Sequence, residues 1–543
     1  MKPIWPGFAR CRDAHAPRDA QVRAGRAKLG RIWASYDSGR RPGRFCVDVR
    51  RDSEVLFAGT WTVPGVPGAG SPELSGVSDS FMNRKQRTLL ASRSLVLLAI
   101  AVSLASAASA EWKEKVLYSF QGGATDGALP AGGVVFDAAG NLYGATTQGF
   151  GLCPPAQCGS VFQLAPPAKQ GDPWTETVLH VFTGNSNGDG DTPAGGLIID
   201  SLGNLYGTTA YGGTGDCILL GTKVGCGTVY EMTPPQTKGG KWTEAVLYSF
   251  PTAKQGYLPN GDLVLDTAGN LYGATMFGGG HGTTCDEFYQ YCGAVFELSP
   301  PKTTGGKWTE KVLHGFRSGT DGANPNGGLV LDSDGAIYGT TFAGGNENCR
   351  GDAYVGCGTV FELKPPANKG TPWKETVLHH FKRDASDGGN PMAGMRFGGV
   401  GNLCGTTLNG GPGQYGTVFS LGPPSKGDGA WVETILYGFN GTGGGLDPES
   451  PVIFDANGNL YGTTLDSGGT YYGTVFRLKP PREKGDAWTL DMLYGFQAPP
   501  DGGQPATGLI FDKNGNLYGT TTQGGSGNGC SFHGCGTVFE VTP

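Results

Sequence analysis

The sequence repeats one phrase, G-N-L-Y-G-T-T or a close variant of it, seven times. The copies are spaced 57 to 66 residues apart and begin at Gly140, Gly203, Gly269, Gly335, Gly401, Gly458 and Gly515. Self-similarity at a regular period of this size is the signature of a repeat architecture. The chain is therefore built from seven copies of one structural unit rather than from one irregular domain.

Three further phrases accompany each copy. An apolar run precedes it, and in six units this run ends in Asp, at residues 134–137, 197–200, 263–266, 329–332, 452–455 and 509–512. The phrase G-T-V-F or a variant follows it, at Gly159, Gly227, Gly293, Gly358, Gly416, Gly473 and Gly536. The phrase W-x-E-x-V-L, with small departures, begins at Trp112, Trp174, Trp242, Trp308, Trp373, Trp431 and Trp488.

Each unit thus contains four short runs rich in β-branched and aromatic residues, separated by Gly, Pro, Asn and Asp. This pattern is typical of short strands joined by turns, and no stretch has helical periodicity of useful length. The 97 glycines and 36 prolines recur in fixed phrases without a Gly-X-Y period, which excludes collagen and flexible linkers. Four strands in each of seven units predict an all-β, seven-bladed β-propeller, with a β-solenoid of shorter coils as the alternative.

Hydrophobicity and turn chemistry order the strands within a blade. The apolar run suits the innermost strand, a, and D-x-x-G-N suits a tight link to strand b, L-Y-G-T-T. Strand c is G-T-V-F, and the Pro-Pro pair after it ends the ladder, which leaves the Trp-containing strand d outermost. The repeats begin with strand d at Trp112 and end with strand c at Gly536. Since open sheet edges are a liability, we expect the N-terminal strand to complete the last blade and close the ring.

The sequence before the repeats divides into two parts. Residues 82–110 resemble a secretory signal peptide, with a basic stretch, an apolar run of ten residues and a small-residue cleavage site before Glu111. The run is too short to span a bilayer, although a retained anchor is the alternative. A secretory signal cannot work from residue 82, so residues 1–81 are interpreted as a mis-annotated or disordered upstream segment. The propeller is then expected to comprise residues 111–543.

Charge narrows the range of partners. Without residues 1–110 the chain has 24 basic and 39 acidic residues, a net charge near −15. An acidic exterior repels phosphate backbones and anionic lipid headgroups. We therefore expect a secreted or periplasmic monomer with no nucleic-acid partner and no membrane span after signal cleavage.

The repeated phrases resemble those of the GloVer-type bacterial tandem-repeat proteins, whose members carry G-N-L-Y-G-T-T and G-T-V-F in series. The resemblance covers residues 112–543 and rests on all seven copies. It implies a β-propeller-like, extracytoplasmic protein of a family whose members often carry interchangeable C-terminal anchors. It implies no known reaction.

Ten of the 13 cysteines occur in local pairs between strands b and c, where the second member directly precedes the G-T-V-F glycine. In the two units without a pair, Tyr415 and Tyr472 occupy that place, so both members are absent together. In an exported chain this pattern predicts disulfides, and separate blades disfavour the alternative of a shared zinc site. Cys404 replaces the strand b tyrosine in the fifth unit and is expected to be a buried, unreactive thiol. The predicted pairs are Cys153 with Cys158, Cys217 with Cys226, Cys285 with Cys292, Cys349 with Cys357, and Cys530 with Cys535.

The variable loops predict a binding surface. In a propeller the loops from b to c and from d to a emerge on one face, which we call the bc face, and here they vary most. Variable loops on a rigid scaffold commonly carry recognition. Aromatic residues in these loops are candidates to stack on sugars or to anchor a partner, with loop packing as the alternative role. They are Phe150, Phe277, Phe288, Tyr289, Tyr291, Tyr354 and Phe532.

The positions of the titratable residues in the repeats suggest structural roles rather than catalytic ones. At one position of strand d, tyrosines alternate with three histidines, which indicates a half-exposed packing position: His180, His314 and His379. In the d–a loops, aspartates in a D-G-x-x-P setting are expected to accept backbone hydrogen bonds within a turn: Asp126, Asp321, Asp387 and Asp501.

Metal ligands are sparse as well. One segment imitates the spacing of a calcium loop, at Asn185, Asn187, Asp189 and Asp191. Gly196 stands where such a loop has a bidentate Glu, so we expect no cofactor, with calcium as the alternative. The residues that open strand a are mostly glycine, and Asp262 is the one carboxylate among them. A catalytic metal in the channel would need several converging ligands.

These observations favour binding over catalysis. We expect an exported, non-enzymatic β-propeller that recognises a glycan, a peptide or a protein on its bc face. The alternative is a hydrolase or lyase of the lactonase kind, whose acidic side chains would converge in the structure.

Overall fold

The computed structural model describes most of the repeat region and none of the residues before it. Residues 1–111, which include the predicted signal peptide and upstream segment, lie outside the described residues. Within residues 112–543 the gaps are 151–157, 170, 185–187, 220, 238, 280–291, 304, 347–348, 350–355, 369, 400, 425–428, 442–443, 468–471, 484, 498 and 531–532. The one helix in the described part is the 3-10 turn Gly319–Asp321. No described helix has the length and apolar character needed to cross a bilayer.

The described chain is a seven-bladed β-propeller, as the repeats predict. Each blade is an antiparallel sheet in the order a-b-c-d. Strands a to d are Val135–Phe136, Leu142–Gly149, Ser160–Ala165 and Thr175–Val181 in blade 1, and Gly190–Ile199, Leu205–Gly212, Thr228–Thr233 and Thr243–Ser249 in blade 2. They are Tyr257–Leu265, Leu271–Phe277, Ala294–Ser299 and Thr309–Gly315 in blade 3, and Val330–Leu331, Ile337–Thr341, Thr359–Lys364 and Lys374–His380 in blade 4.

The remaining blades follow the same order. Strands a to d are Arg396–Phe397, Leu403–Thr407, Thr417–Gly422 and Val432–Gly438 in blade 5, and Ile453–Phe454, Leu460–Thr464, Thr474–Lys479 and Thr489–Gly495 in blade 6. In blade 7 they are Ile510–Phe511, Leu517–Thr521, Thr537–Thr542 and Lys113–Ser119. Short accessory strands lie at the blade ends, at Gly127–Pro130, Ile218–Leu219, Thr222–Lys223, Gly388–Gly389, Asn409–Gly410, Gly502–Gly503 and Gln523–Gly524.

The N-terminal strand closes the ring, which confirms the prediction from the phase of the repeats. Lys113–Ser119 pairs antiparallel with Thr537–Thr542, and Lys113 lies opposite Thr542. The backbone N–H of Phe120 donates to the carbonyl oxygen of Gly536 at 3.1 Å. Phe120 is fully buried in the core between blade 7 and blade 1. The two ends of the repeat region therefore share one sheet.

Packing explains why the two central phrases recur together. The glycine of L-Y-G-T-T lies directly opposite the aromatic residue of G-T-V-F on the paired strand, as Gly273 does opposite Phe296. A Cβ atom at Gly273 would lie 2.5 Å from Cζ of Phe296, so only glycine leaves room for the ring. The same contact occurs in every blade, between Gly144 and Phe162, Gly207 and Tyr230, Gly339 and Phe361, Gly405 and Phe419, Gly462 and Phe476, and Gly519 and Phe539.

A second contact links neighbouring blades. The first glycine of G-T-V-F has a positive φ and packs against the proline of the next D-G-x-x-P turn. At Gly293, φ is 77° and an added Cβ would lie 2.5 Å from Cδ of Pro325. A side chain there would be strained in its backbone and would collide with the next blade. The equivalent prolines are Pro193, Pro259, Pro391, Pro448, Pro505 and Pro130.

The tryptophan of strand d packs on the strand b tyrosine of the preceding blade. Trp242 lies 5.5 Å from Tyr143 between ring centroids, and the other rings in this arrangement are Trp112 on Tyr461, Trp174 on Tyr518, Trp373 on Tyr272, and Trp431 on Tyr338. Each tyrosine hydroxyl also donates to a polar partner, and that of Tyr143 reaches Asp137 at 3.0 Å. The outer strands thus cover the boundaries between blades.

The innermost strand is only two residues long in five blades, but it extends to ten residues in blade 2 and nine in blade 3. In blade 4 Leu329 is buried, but the paired residues of strand a are the half-buried Val330 and Leu331. In blade 3 the pairing of strand a with strand b is interrupted between Asn260 and Val264.

Candidate functional site

The register of the strands places the b–c and d–a loops on one face. In blade 1 Gly127, at the end of the d–a loop, pairs with Gly149 at the end of strand b. In blade 7 Gly122 of the d–a loop bridges Gly529 of the b–c loop. The a–b turns, such as the one with the exposed Leu202, lie at the opposite ends of the strands. The bc face is therefore built from the two loop sets that the sequence analysis assigned to it.

Disulfide bonds hold the b–c loops on this face. Bonds join Cys217 to Cys226, Cys349 to Cys357, and Cys530 to Cys535, with Cα atoms 5.0 to 5.6 Å apart. Cys158 and Cys292 are disulfide-bonded too, and their predicted partners, Cys153 and Cys285, lie outside the described residues. Each bond closes a short loop directly before strand c, so it restrains that loop relative to the sheet.

A groove of about 500 Å³ lies on the bc face of blade 7. Its walls come from the d–a loop at Pro499 and Pro500 and from the b–c loop at Gly525, Ser526, Gly527, Asn528, Cys530 and Gly534. A smaller hollow that also contacts Pro499 continues it toward blade 6 and is lined by Tyr472, Gln497 and His533, among others. The groove beside the Cys530–Cys535 bond and the hollow beside Tyr472 share Pro499 as a common wall.

Two exposed tyrosines on this face were missed as binding candidates. The side chains of Tyr415 and Tyr472 are 46% and 45% exposed, which is unusual for rings in this protein. The backbone N–H of Tyr472 donates to the carbonyl oxygen of Phe496 at 2.8 Å, which fixes the base of the side chain. The signal was present in the sequence, because both tyrosines replace the second cysteine of a pair. It was interpreted as the loss of a disulfide and not as the gain of an exposed ring.

The structure describes two of the seven aromatic residues predicted to bind a ligand. Phe150 follows strand b of blade 1 in a left-handed conformation, and its N–H donates to the carbonyl oxygen of Asp126 at 3.3 Å. Phe277 packs against Tyr257, with ring centroids 5.5 Å apart. Phe277 thus has a packing partner within its own blade. The others lie outside the described residues: Phe288, Tyr289, Tyr291, Tyr354 and Phe532.

The calcium candidates are described only in part. Asn185 and Asn187 lie outside the described residues. The carboxylate of Asp189 accepts hydrogen bonds from the N–H of Thr183 at 2.8 Å and of Gly190 at 2.7 Å. Asp191 is buried and accepts a hydrogen bond from its neighbour Thr192. The two aspartates have separate partners, and a role in calcium binding stays a proposal.

Backbone and small side chains surround the axis of the propeller. A Cβ atom added to Gly132 would lie 2.4 Å from the backbone of Gly196, and one added to Gly327 would lie 2.3 Å from that of Ala393. Among the seven residue pairs that open strand a, all of them described, Asp262 is the one carboxylate. Its Oδ1 accepts the N–H of Gly196 at 2.7 Å, so this side chain braces the neighbouring blade. Among these pairs, no second carboxylate accompanies Asp262.

Acidic side chains do converge at the boundaries between blades. The Glu of W-x-E on strand d lies beside the D-G-x-x-P aspartate of the preceding blade, and that aspartate accepts a hydrogen bond from a strand d tyrosine or histidine. The hydroxyl of Tyr118 donates to Asp126 at 3.0 Å, and that of Tyr494 donates to Asp501 at 2.8 Å. The aspartates also accept backbone N–H groups, as the turn motif predicted. The strand d position is thus a polar anchor as well as a packing position.

At these boundaries the pKa of the strand d glutamate is raised. Burial, with a contribution from Asp501, raises the pKa of Glu114 to about 8. Burial, with a contribution from Asp126, raises the pKa of Glu176 to about 7. An oxygen of Glu114 is shielded from solvent and has no hydrogen-bond partner among the described residues. Burial disfavours the charged form of each glutamate, and the charge of the neighbouring aspartate adds to this effect, so the glutamate keeps its proton to a higher pH.

Stability should therefore fall as the pH rises. A carboxyl group with a higher pKa in the folded state holds more protons when folded, so its contribution is complete below pH 4.5, the ordinary value, and is lost toward pH 8. We expect Glu114→Gln and Glu176→Gln each to reduce this decline by about 1 kcal/mol, after allowance for solvent screening of half-buried side chains. The measurement is the free energy of unfolding in denaturant at several pH values. Glu483→Gln, at an exposed glutamate, is the control, and identical profiles for all three variants would contradict the assignment.

Cys404 is a buried thiol, as predicted, with 2% of its surface exposed. Burial raises its pKa to about 11, and the side-chain amide of Asn402 donates to its sulfur at 3.3 Å. Since the thiolate is the reactive form, we expect alkylation of Cys404 by iodoacetamide to be at least about 100-fold slower in the folded protein than after unfolding. Peptide mass mapping of non-reduced protein measures it. Cys217 and Cys226 should stay unlabelled in both states, and rapid native labelling at Cys404 would contradict the prediction.

This chain was compared with family profiles, curated proteins and solved structures. The profile of the Gloeobacter/Verrucomicrobia repeat matches residues 104–283, 217–427 and 349–543, and no curated protein matches the chain. A structure of a protein of unknown function from Dyadobacter fermentans is 12% identical, with a TM-score of 0.38 over 80% of this chain and 99% of the other. A provisionally named gluconolactonase is 13% identical, with a TM-score of 0.32 over 66% and 91%. A provisionally named oxidoreductase (glucose dehydrogenase) from Thermus thermophilus is 16% identical, with a TM-score of 0.36 over 64% and 96%.

Proposed function

Because this chain belongs to the Gloeobacter/Verrucomicrobia repeat family and folds as a propeller, we propose that it is an exported binding module that recognises its ligand on the bc face. The observation that carries the proposal is the groove beside the Cys530–Cys535 bond together with the hollow beside Tyr472. A concave surface with fixed walls and an exposed aromatic ring is the usual form of a binding site.

The lining of the groove favours a glycan over other ligands. Tyr472 offers a ring on which a sugar can stack, while Gln497 and Asn528 offer amide donors and acceptors for hydroxyl groups. Glycines and prolines form much of the remaining wall and add exposed backbone groups without charge. A peptide or a protein is the second possibility and is distinguished by the experiment below.

Export is proposed from the disulfides. Disulfide bonds persist in oxidising compartments and are rare in a reducing cytosol. The bonds at Cys217–Cys226, Cys349–Cys357 and Cys530–Cys535 therefore support a secreted or periplasmic protein, in line with the signal-like segment at residues 82–110.

Binding to arrays of glycans and of peptides tests the proposal. We expect the purified full-length protein to bind at least one class of glycan, with and without calcium in parallel. Binding to peptides alone would reassign the ligand, and silence on both arrays would overturn the binding function. Hydrolysis of a lactone that is lost after chelation would instead support the alternative of a hydrolase.

The contribution of Tyr472 can be measured separately. We expect Tyr472→Ala to weaken binding of the ligand found on the arrays about tenfold, because a stacked ring contributes roughly 1.4 kcal/mol. Leu202→Ser is the matched control, since it removes an exposed apolar side chain from the opposite face. Titration calorimetry gives both affinities, and equal losses in the two variants would place the site elsewhere.

A further inference from the structure

One blade boundary gathers a histidine and two carboxylates from three different segments. His180 lies on strand d of blade 1, Asp189 on the following d–a loop, and Glu244 on strand d of blade 2. One ligand atom from each lies within 4.8 Å of the other two. A nitrogen with two carboxylate oxygens is a donor set that divalent zinc accepts. The same position in blade 7 has Tyr118, whose neutral hydroxyl donates to Asp126.

The distance between the side chains of His180 and Asp189 suits a metal ion that is bound by both. Nε2 of His180 is 3.3 Å from Oδ2 of Asp189. Two ligands about 2.0–2.1 Å from a tetrahedral zinc ion are separated by about 3.3 Å. Oε1 of Glu244 is shielded from solvent and has no hydrogen-bond partner among the described residues. A cation there would give this oxygen the partner that it lacks and would balance the two carboxylate charges.

The surrounding residues hold these ligands in place. The N–H and the hydroxyl of Thr183 and the N–H of Gly190 donate to Asp189 at 2.7 to 3.0 Å, which orients its carboxylate. The ring of His180 packs edge-on against Phe182, with centroids 4.8 Å apart. Partners of this kind commonly orient metal ligands and raise their affinity.

Two other boundaries share the histidine and the aspartate. His314 is 3.2 Å from Asp321, and His379 is 3.0 Å from Asp387. In the second of these, Nζ of Lys382 lies 3.7 Å from Asp387 and already supplies a positive charge. The site at His180 has no lysine of this kind among its described ion pairs, so it has a greater need of a cation than the site at His379.

We propose that His180, Asp189 and Glu244 bind a divalent transition metal ion, with Zn²⁺ as the best fit, and that the ion joins blade 1 to blade 2. This inference is independent of the proposed ligand on the bc face. It uses the Asp189 of the calcium hypothesis with different partners, so the two metals can be told apart.

Metal titration of the full-length protein after chelator treatment tests the proposal. We expect Zn²⁺ to bind by calorimetry and to raise the melting temperature, and Co²⁺ to give the visible absorption of a tetrahedral site. His180→Tyr should weaken Zn²⁺ binding at least about 100-fold while preserving the fold, since the chain itself has tyrosine at this position in four blades. His380→Asn removes an exposed histidine on strand d of blade 4 and should leave binding unchanged.

The following results would overturn the proposed metal site. Absence of Zn²⁺ binding at 100 µM, or equal binding by the His180→Tyr variant, overturns the proposal. A gain in melting temperature from Ca²⁺ alone that survives His180→Tyr also overturns it and supports a calcium loop instead. Circular dichroism of each metal-free variant separates these results from a failure to fold.

Discussion

Deletion of residues 112–120 from the full-length chain is expected to abolish the folded propeller. The segment supplies the outer strand of blade 7, and its loss would expose the edge of Thr537–Thr542 along its whole length. Leu117 and Phe120 leave the core at the same time, and each buried apolar side chain stabilises by roughly 1.5–3 kcal/mol. With the lost hydrogen bonds the total is on the order of 5 kcal/mol or more, comparable to the stability of a whole domain. Thermal unfolding and size-exclusion chromatography measure the outcome as lost cooperativity and aggregation.

A transplanted strand provides the control for this deletion. Residues 112–120 can be attached after Pro543 through a copy of residues 235–241, because Pro543 corresponds to Pro234 at the start of the c–d connection of blade 2. All four strands of blade 7 then follow one another in sequence, as in the other blades. We expect this variant to recover a monomeric, cooperative fold with a lower melting temperature, because the ends no longer hold the ring closed. A deletion variant that stays monomeric and as stable as the parent would contradict the role of the strand.

Replacement of a strand b glycine is expected to have the second largest effect. A Cβ at Gly273 would lie 2.5 Å from Cζ of Phe296 and 2.8 Å from Cδ2 of Leu263, both of them buried. Neither the ring of Phe296 nor the side chain of Leu263 can move aside in a packed core. We therefore expect Gly273→Ala to lower the free energy of unfolding by about 3 kcal/mol. Denaturant titration gives this value.

A double-mutant cycle identifies the cause. Phe296→Leu alone leaves a cavity and costs about 1.5 kcal/mol, but it removes the atom that collides with the new methyl group. The pair Gly273→Ala with Phe296→Leu should therefore be more stable than the sum of the single effects by at least about 1 kcal/mol. Gly399→Ala is the control, because an added Cβ there has no neighbour within 4 Å. Strictly additive effects would rule out the collision.

Much of the fold was predictable because each phrase has a steric reason to recur. The glycine of L-Y-G-T-T and the aromatic residue of G-T-V-F form one contact, so they appear together in every unit. The phase of the first and last repeats was enough to predict the closing strand, which Lys113–Ser119 supplies. The two-residue pairing of strand a in five blades could not be foreseen, since similar apolar runs form strands of ten and nine residues in blades 2 and 3.

The polar contacts at the blade boundaries could not be predicted from the sequence pattern of a single repeat. The alternation of His180 with tyrosines at other blades indicated packing, because no neighbour in the sequence suggested a polar partner. The partners are Asp189, nine residues away, and Glu244 on the next blade, 64 residues along the chain. Contacts between repeats are invisible within a single repeat. The same limit applied to the groove, which needs loops from two blades to exist.

Blade 7, which contains both ends of the repeat region, also determines when the protein can reach its native fold. Lys113–Ser119 is the first strand of the repeat region to leave the ribosome, while its partner Thr537–Thr542 is the last. More than 400 residues separate the two strands, so the first strand stays unpaired until the last strand has been synthesised. Contacts this distant along a chain form late and slowly. Truncated or stalled products therefore never acquire the finished ring, and they remain open to proteolysis where the completed molecule does not.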